Sequence, residues 1–303
     1  MMTPQVLPQT LHTQQQQQQQ LLQQLRRDLY RLSDSNRVTR LQGARAILRV
    51  YEEEAARRAA RSNEAAMTTN SYQGTKEAHN CPSCPFSGVF LSSVYSPVSV
   101  LCADDTSESC RATALDLVQL VVKNFLSRRE VILICMGNKN ASDEAFSCGG
   151  ECNNCPAAAA FFCGRNAGGD GTYLSINTGI AGNSEAVKPL ITVIAERLKE
   201  TSQEVEKSEE LRLSNMQFLQ HLLLQYAADP PASNSNRGQH NQQKQSMFQS
   251  EKGWNATEFA DCLLAAVAGA LKDKSPSNGI EACRLLSAIS EKLQASVLLQ
   301  VRS

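Results

Sequence analysis

The feature that most constrains this chain is one pattern that occurs four times. In each case a short turn rich in Asp, Ser, Asn or Pro joins two stretches whose apolar residues recur every three or four positions. The second stretches begin around Ser33–Asn36, Asp104–Ser107, Ser208–Leu211 and Asp273–Pro276. Spacings of three and four place side chains on one side of a helix, so each case predicts two helices joined by a turn.

The apolar stripes predict which side chains form the core, because a stripe of this kind must be buried against a neighbour. Four such pairs in series favour an all-α fold. In the first two pairs the stripe residues are Leu21, Leu25, Leu29, Leu32, Val38, Leu41, Leu48, Tyr51, Leu115, Val118, Val122 and Phe125. In the last two pairs they are Val187, Leu190, Ile191, Ile194, Leu198, Leu211, Phe218, Leu219, Leu222, Tyr226, Phe259, Leu263, Val267, Leu271, Ala282, Leu286, Ile289 and Leu293.

The spacing of the pairs predicts insertions between them. The second helices begin near residues 37, 109, 208 and 279, about 70 to 100 residues apart, against about 40–47 for HEAT or armadillo units. Polar, weakly periodic stretches near 62–87, 136–184 and 228–253 account for the excess. We therefore expect an all-α, HEAT/armadillo-like solenoid of helical hairpins with long disordered loop insertions, since each unit of a solenoid contacts mainly its neighbours.

The expected domain bounds follow from the same stretches. We expect a disordered N-terminal lead at residues 1–13 and a repeat array at 14–303. The glutamine tract Gln14–Gln20 is low-complexity and extends either the first helix or the lead. The four units are expected near residues 14–61, 88–126, 185–227 and 255–296.

Charge and hydropathy limit the classes of partner. Thirty basic and thirty acidic residues give a formal net charge of zero, so no global field favours nucleic acid or a membrane surface. The N-terminus lacks a charged region followed by an apolar core, and no apolar run approaches the ~20 residues of a spanning helix. We expect a cytoplasmic protein that binds neither nucleic acid nor membrane.

Eleven cysteines raise the question of a metal. Two C-x-x-C pairs, Cys81/Cys84 and Cys152/Cys155, could each supply two thiolates to zinc, and Cys148 and Cys163 could complete one small site with the second pair. The two pairs lie about 70 residues apart, however, against about 15–20 in common zinc modules. We therefore expect loop thiols and no metal or cofactor. Cysteines in or beside apolar stretches are expected in the core: Cys102, Cys110, Cys135, Cys262 and Cys283.

Catalytic patterns are weak. The apolar run Val131–Cys135 followed by Gly137–Lys139 is similar to a strand that leads into a guanine-recognition turn, but Ala141 stands where that turn needs Asp, and no phosphate-binding loop precedes it. The four histidines are scattered and no G-x-S-x-G motif occurs. Proton-transfer catalysis needs an acid and a base that converge. We expect no enzyme and no catalytic residues.

Several turns carry a resemblance to a known family. The segment Glu206–Leu213 resembles a hairpin turn of the HEAT-repeat dynein axonemal assembly factor family, and Ala270–Pro276 followed by Glu281–Arg284 resembles the repeat that comes next. The segment Ser33–Arg40 is similar to the opening repeat of that family, and Ser109–Leu115 is similar to its second repeat. The resemblance covers about half the chain, all of it in hairpins. Asn278 and Gly279 depart from it, because a Val-Arg pair is usual there.

The resemblance implies a cytoplasmic, non-catalytic factor for the preassembly of axonemal dynein arms, with dynein chains and chaperones or co-assembly factors as partners. The residues themselves indicate a binding scaffold, and a generic HEAT or armadillo adaptor of another pathway and a zinc-dependent module remain alternatives. Second helices of HEAT units usually line the concave face. Arginines on them are therefore candidates for partner contacts or for links between repeats, unless they only cap turns or pair with neighbouring acids: Arg40, Arg111, Arg212 and Arg284.

Overall fold

The computed structural model describes residues 7–68, 85–136, 188–199, 206–227 and 256–293. Within these ranges the chain is helical and contains no β-strand, so the expected all-α class is confirmed. The helices fall into two compact units. The predicted insertions lie mostly outside the described ranges.

The first unit contains two helical pairs. Its elements are α1 (Leu7–Leu32), α2 (Arg37–Thr68), α3 (Pro85–Val89), a π-helical turn (Phe90–Val94), most of α4 (Tyr95–Asp104) and nearly all of α5 (Glu108–Asn124). The first helices of the two pairs meet, since α1 packs against α3 as well as α2. The second helices also meet, because residues of α2 contact α5.

Tyr51 of α2 is the centre of the first unit's core. Its ring lies edge-on to Phe86, Phe90 and Phe125, at centroid distances of 5.4, 6.1 and 5.3 Å. Its hydroxyl donates to the Phe86 carbonyl oxygen at 3.1 Å, which provides the partner that a buried phenol requires. The guanidinium of Arg58 covers the outer side of the Phe125 ring at 4.5 Å. This cluster joins α2 to both helices of the second pair.

Gly43 permits a close approach of α1 and α2. A Cβ atom at Gly43 would lie 2.7 Å from the carbonyl oxygen of Asp28 and 2.8 Å from Cβ of Arg31. Both distances are shorter than van der Waals contact, so the helices could not pack at this separation with any other residue at position 43.

A proline explains the π-helical turn between α3 and α4. Pro97 has no N–H to donate to the carbonyl of Ser93 four residues earlier, and its ring crowds that carbonyl. Just before it, the N–H of Tyr95 donates to the Phe90 carbonyl, which is the wider spacing of a π-turn. The helix therefore passes the proline without ending.

The second unit contains two further pairs and one additional helix. Its elements are residues Cys102–Glu108, α6 (Arg128–Met136), α7 (Leu190–Glu196), α8 (Glu209–Tyr226), a 3-10 turn (Ala256–Phe259), α9 (Ala260–Leu271) and α10 (Pro276–Lys292). The first helices α7 and α9 pack together, and so do the second helices α8 and α10. Helix α6 packs against α7 and α8.

The observed helix starts agree with the sequence within three residues. The second helices begin at Arg37, Glu108, Glu209 and Pro276, against the expected 37, 109, 208 and 279. The last begins earlier because proline is favoured at the first helical position, where its missing N–H has no partner to lose. At the third start Ser208 caps α8, and its side chain accepts from the N–H of Leu211 at 3.5 Å.

Most of the predicted core residues are buried. Val187 lies outside the described residues, and of the others two are wrong, since Val38 and Leu271 are exposed. The remaining deviations are half-buried: Leu41, Leu48, Tyr226 and Leu286. The stripe rule counts positions on a helix. The rule cannot show which apolar sides of a helix are covered by a neighbour. Leu271 is therefore predicted to be buried although no described neighbour of α9 covers it.

Two element boundaries differ from the sequence expectation. Helix α1 begins at Leu7, so residues 7–13 and the glutamine tract belong to it and not to a disordered lead. Residues Val131–Cys135, in the run compared with a strand, lie in helix α6, and all but Ile132 are buried. Helix α6 was missed because its nine residues are too short to show more than two turns of a periodic stripe.

Candidate functional site: the turns and the outer faces of the second helices

The four turns share one hydrogen bond. In each, a carboxylate accepts from the backbone N–H two residues later, which fixes the entry into the second helix. The residue that supplies this N–H directly precedes the helix. The pairs are Asp34 with Asn36 (2.7 Å), Asp105 with Ser107 (2.7 Å), Glu206 with Ser208 (3.1 Å) and Asp273 with Ser275 (3.0 Å).

Arginine stands six residues after the acid in three of the four turns. Arg40 donates Nη1 to the carbonyls of the acid and of the next residue, both at 2.9 Å. Arg212 makes the same two bonds in the third turn, also at 2.9 Å. Arg111 occupies this position in the second turn and is buried. In the fourth turn the position is Gly279.

Arg212 also connects two successive turns. Its Nε lies 2.5 Å from Oδ2 of Asp273, the acid of the fourth turn. The same oxygen accepts from Nδ2 of Asn278 at 2.7 Å, and Asn278 lies within 3.4 Å of the Glu209 carbonyl oxygen. Ser275 donates its hydroxyl to the Glu209 carboxylate. Asp273 is therefore the point at which the third and fourth hairpins are joined.

The ionisation of Asp273 should make the second unit sensitive to acid. Burial raises the pKa of this carboxyl, but hydrogen bonds from Arg212, the Ser275 N–H and Asn278, together with the Arg212 charge, lower the pKa to about 2. The pKa in the unfolded chain is 3.8, so the ionised form stabilises the fold above about pH 4, and this contribution is lost as the pH falls towards 2.

We expect the free energy of unfolding to fall between about pH 4 and pH 2, and to fall by less in the variant Asp273→Asn. Denaturant titrations at stepped pH measure both. Equal acid sensitivity of the two proteins would contradict the assignment.

A buried ion pair supports the third turn. Arg197, which follows α7, places Nη2 3.2 Å from the Glu206 carboxylate, and both side chains are buried. Its Nη1 donates to the carbonyl of Ala103 at 3.0 Å. Its buried Nε has no hydrogen-bond partner within the described part of the chain. Glu206 thus holds both the backbone of its own turn and the guanidinium of the preceding helix.

The structure separates the four candidate arginines. Arg40, Arg111 and Arg212 lie in the first turn of α2, α5 and α8, six residues after the acid. Arg284 lies five residues beyond that position on α10; its side chain is 64% exposed, with Nη1 3.1 Å from the Glu281 carboxylate. Arg284 is therefore the candidate with the most surface to offer a partner.

The exposed faces of α8 and α10 carry side chains that the sequence analysis did not single out. On α10, Ile280 is 58% exposed and lies one turn before Arg284. On α8, Gln217, His221 and Leu224 are exposed at spacings of three and four. Because α8 and α10 pack side by side, these faces form one mixed surface of apolar and polar groups. The sequence alone does not identify these exposed side chains, since their exposure depends on which helices are neighbours.

No cluster typical of a metal centre is found among the described residues. No group of three or more His, Cys, Asp or Glu side chains within them could hold a metal ion. The C-x-x-C cysteines, Cys148 and Cys163 lie outside the described ranges. Of the cysteines expected in the core, Cys102, Cys110 and Cys135 are buried as predicted, Cys262 is half-buried, and Cys283 is exposed, contrary to the prediction.

One helical segment bears on the expectation about apolar length. Residues Pro85–Asp104 form a continuous 20-residue helical stretch that is long and apolar enough to cross a membrane. Of its most apolar 18-residue window, 67% is buried inside the molecule, and the core helix of a soluble protein passes the same test of length and composition. In the sequence, serines and Pro97 interrupt this run without adding charge. Length and composition alone are weak evidence for a membrane span.

Gly279 should be a site where alanine stabilises the fold. A Cβ atom there would meet no atom within 4 Å, and the residue lies in the first turn of α10. Alanine loses less conformational entropy on folding than glycine, so Gly279→Ala should raise the free energy of unfolding by about 0.4–1 kcal/mol. Chemical denaturation followed by circular dichroism measures the change. A loss of stability would show that the glycine is required there.

Comparison with known proteins gave no match to any family model, curated protein or solved structure.

Proposed function

We propose that the chain is a non-catalytic, HEAT/armadillo-like repeat scaffold that binds a protein client. The observation that carries this proposal is the stacking of first helices on first helices and of second helices on second helices, together with the Arg212–Asp273 link between successive turns. Stacking of this kind is typical of solenoids, whose second helices present an extended surface to a partner.

The proposed client surface is the outer face of α8 and α10. It contains exposed apolar groups, including Ile280 and Leu224, beside polar groups such as Gln217 and the Arg284 guanidinium. Arginine is enriched among the residues that dominate protein–protein affinity, and burial of the exposed apolar groups beside it would add to the binding free energy. Arg40 and Arg212 are assigned to holding the turns, since both donate to backbone carbonyls, and Arg111 is buried and offers little surface to a partner.

The finer proposal is a cytoplasmic role in the preassembly of axonemal dynein arms. It rests on the resemblance of the hairpin segments, including Glu206–Leu213, to the HEAT-repeat dynein assembly factors. The clients would be dynein heavy or intermediate chains, with chaperones or co-assembly factors. A generic adaptor of another pathway is the second candidate, because a mixed apolar and polar surface is suited to clients of many kinds.

Affinity capture from the cytosol of ciliated cells tests both the proposed client surface and the proposed role in dynein preassembly. We expect the intact chain to retain dynein chains, and the surface variant Ile280→Asp/Arg284→Glu to lose them while its circular dichroism is unchanged. The turn variant Arg40→Lys lies outside the proposed surface and is the control that should still capture the client. Retention of other proteins only would favour the generic adaptor, and loss of the protein from cells without a defect in dynein arms would exclude the assembly role.

The zinc-dependent module requires a separate measurement. It depends on the C-x-x-C cysteines, and Cys152 and Cys155 are the pair with further cysteines nearby. Metal analysis of the purified chain decides it, because less than about half a zinc per chain is incompatible with a structural four-ligand site.

A further inference from the structure

Helix α9 is apolar on the side that faces away from its neighbours. Its inner side packs on α7 and α10. Its outer side contains Leu264, Ala265, Ala268 and Leu271, of which Ala268 and Leu271 are exposed and the other two half-buried. Leu271 is 47% exposed. A helix that is apolar on all sides is normally covered on all sides.

Charged residues stand only at the two ends of this outer face. Asp261 lies in the first turn and Lys272 directly after the last, and both are exposed. At 100° per residue both project in nearly the same direction as Ala265 and Ala268, so the face has a negative end, an uncharged middle and a positive end. Over 12 residues the helix is about 18 Å long.

This arrangement is self-complementary. If a second α9 is laid antiparallel on the first, with the twofold axis midway between the two helices and level with their centres, Asp261 of each copy meets Lys272 of the other. In the same register Leu264 faces Ala268 and Leu271 of the second copy, and Ala265 faces Gly269. Small residues at these positions permit the axes to approach to about 8 Å. Isologous contacts of this kind are the commonest in soluble oligomers.

We propose that the outer face of α9 is a homodimer interface, in which a second copy of this chain packs antiparallel on α9 through Leu264, Ala268 and Leu271, with Asp261 and Lys272 paired across the twofold axis. This proposal is independent of the client.

The oligomeric state of the full chain tests the proposal. Sedimentation and light scattering over a range of concentrations should show a monomer–dimer equilibrium, since one helix face buries less than the standard interface. Ala268→Glu places a charge against Leu264 of the second copy and should raise the dissociation constant at least about tenfold. Ser287→Glu, on the exposed side of α10, is the matched control and should leave dimerisation unchanged.

Charge reversal distinguishes this register from non-specific association. Asp261→Lys and Lys272→Asp should each weaken the dimer, because each creates like-charge pairs, and the double variant should restore it. A wild-type chain that is monomeric at every concentration would overturn the proposal. So would a dimer that Ala268→Glu leaves intact, or a dimer that forms only after residues 294–303 are removed, since that segment would then be what covers α9.

Discussion

Replacing Glu206 with alanine is expected to lower the free energy of unfolding by about 3–5 kcal/mol, the range for removing one partner of a buried ion pair. The Glu206 side chain is 1% exposed and pairs with Arg197, which is itself buried. Without the carboxylate the guanidinium stays buried without a counter-charge, and the Ser208 N–H loses its acceptor. The measurement is denaturant unfolding followed by far-UV circular dichroism.

Two controls separate the burial of charge from the loss of a side chain. Glu196→Ala removes a carboxylate of the exposed pair with Lys188 and should cost at most about 1 kcal/mol. Arg197→Met combined with Glu206→Leu removes both charges and should be far less damaging than Glu206→Ala alone, because no uncompensated charge remains. If Glu206→Ala costs no more than Glu196→Ala, the pair does not stabilise the turn.

Replacing Gly43 with alanine should destabilise the first unit by about 1–3 kcal/mol, the usual cost of inserting a methyl group into a packed site. The new Cβ would lie 2.7 Å from the Asp28 carbonyl oxygen, and backbone cannot yield as a flexible side chain can. Either α1 and α2 separate or the helices distort. Gly43→Val adds two further methyl groups and should cost more than alanine.

Gly279→Ala is the matched control for this prediction, because the same change is made in a helix where the added atom meets nothing. Helix propensity favours alanine at both positions, so the expected difference in sign comes from packing. We expect opposite signs of the change in unfolding free energy. Stabilisation by alanine at both positions would show that α1 and α2 do not approach as closely as Gly43 indicates.

The sequence predicted elements better than relations between them. Helix starts and stripes are local, since a cap such as Ser208 acts on its own first turn and apolar spacing acts along one helix. The approach of α1 to Gly43 and the exposure of Leu271 depend on neighbouring helices that spacing cannot identify. The helix at Arg128–Met136 was missed because a short apolar run is compatible with a strand as well as a helix.

One part of the candidate site, the spacing between the acid and the arginine of each turn, is visible in the sequence. An acid followed six positions later by arginine occurs at Asp34, Asp105 and Glu206, and the same count from Asp273 reaches Gly279. Arg284 shares with these arginines only its position on a second helix. What the sequence could not provide is the partner of each guanidinium, since the residues joined in the Arg212–Asp273 link are 61 positions apart.

The two roles of Arg212 have a consequence for how the second unit comes apart. One guanidinium satisfies carbonyls of its own turn and the carboxylate of the next, so neither hairpin can open without leaving donors or acceptors of the other unmatched. We therefore expect α7 to α10 to melt as one cooperative block, with fraying confined to the end of α10 farthest from Asp273.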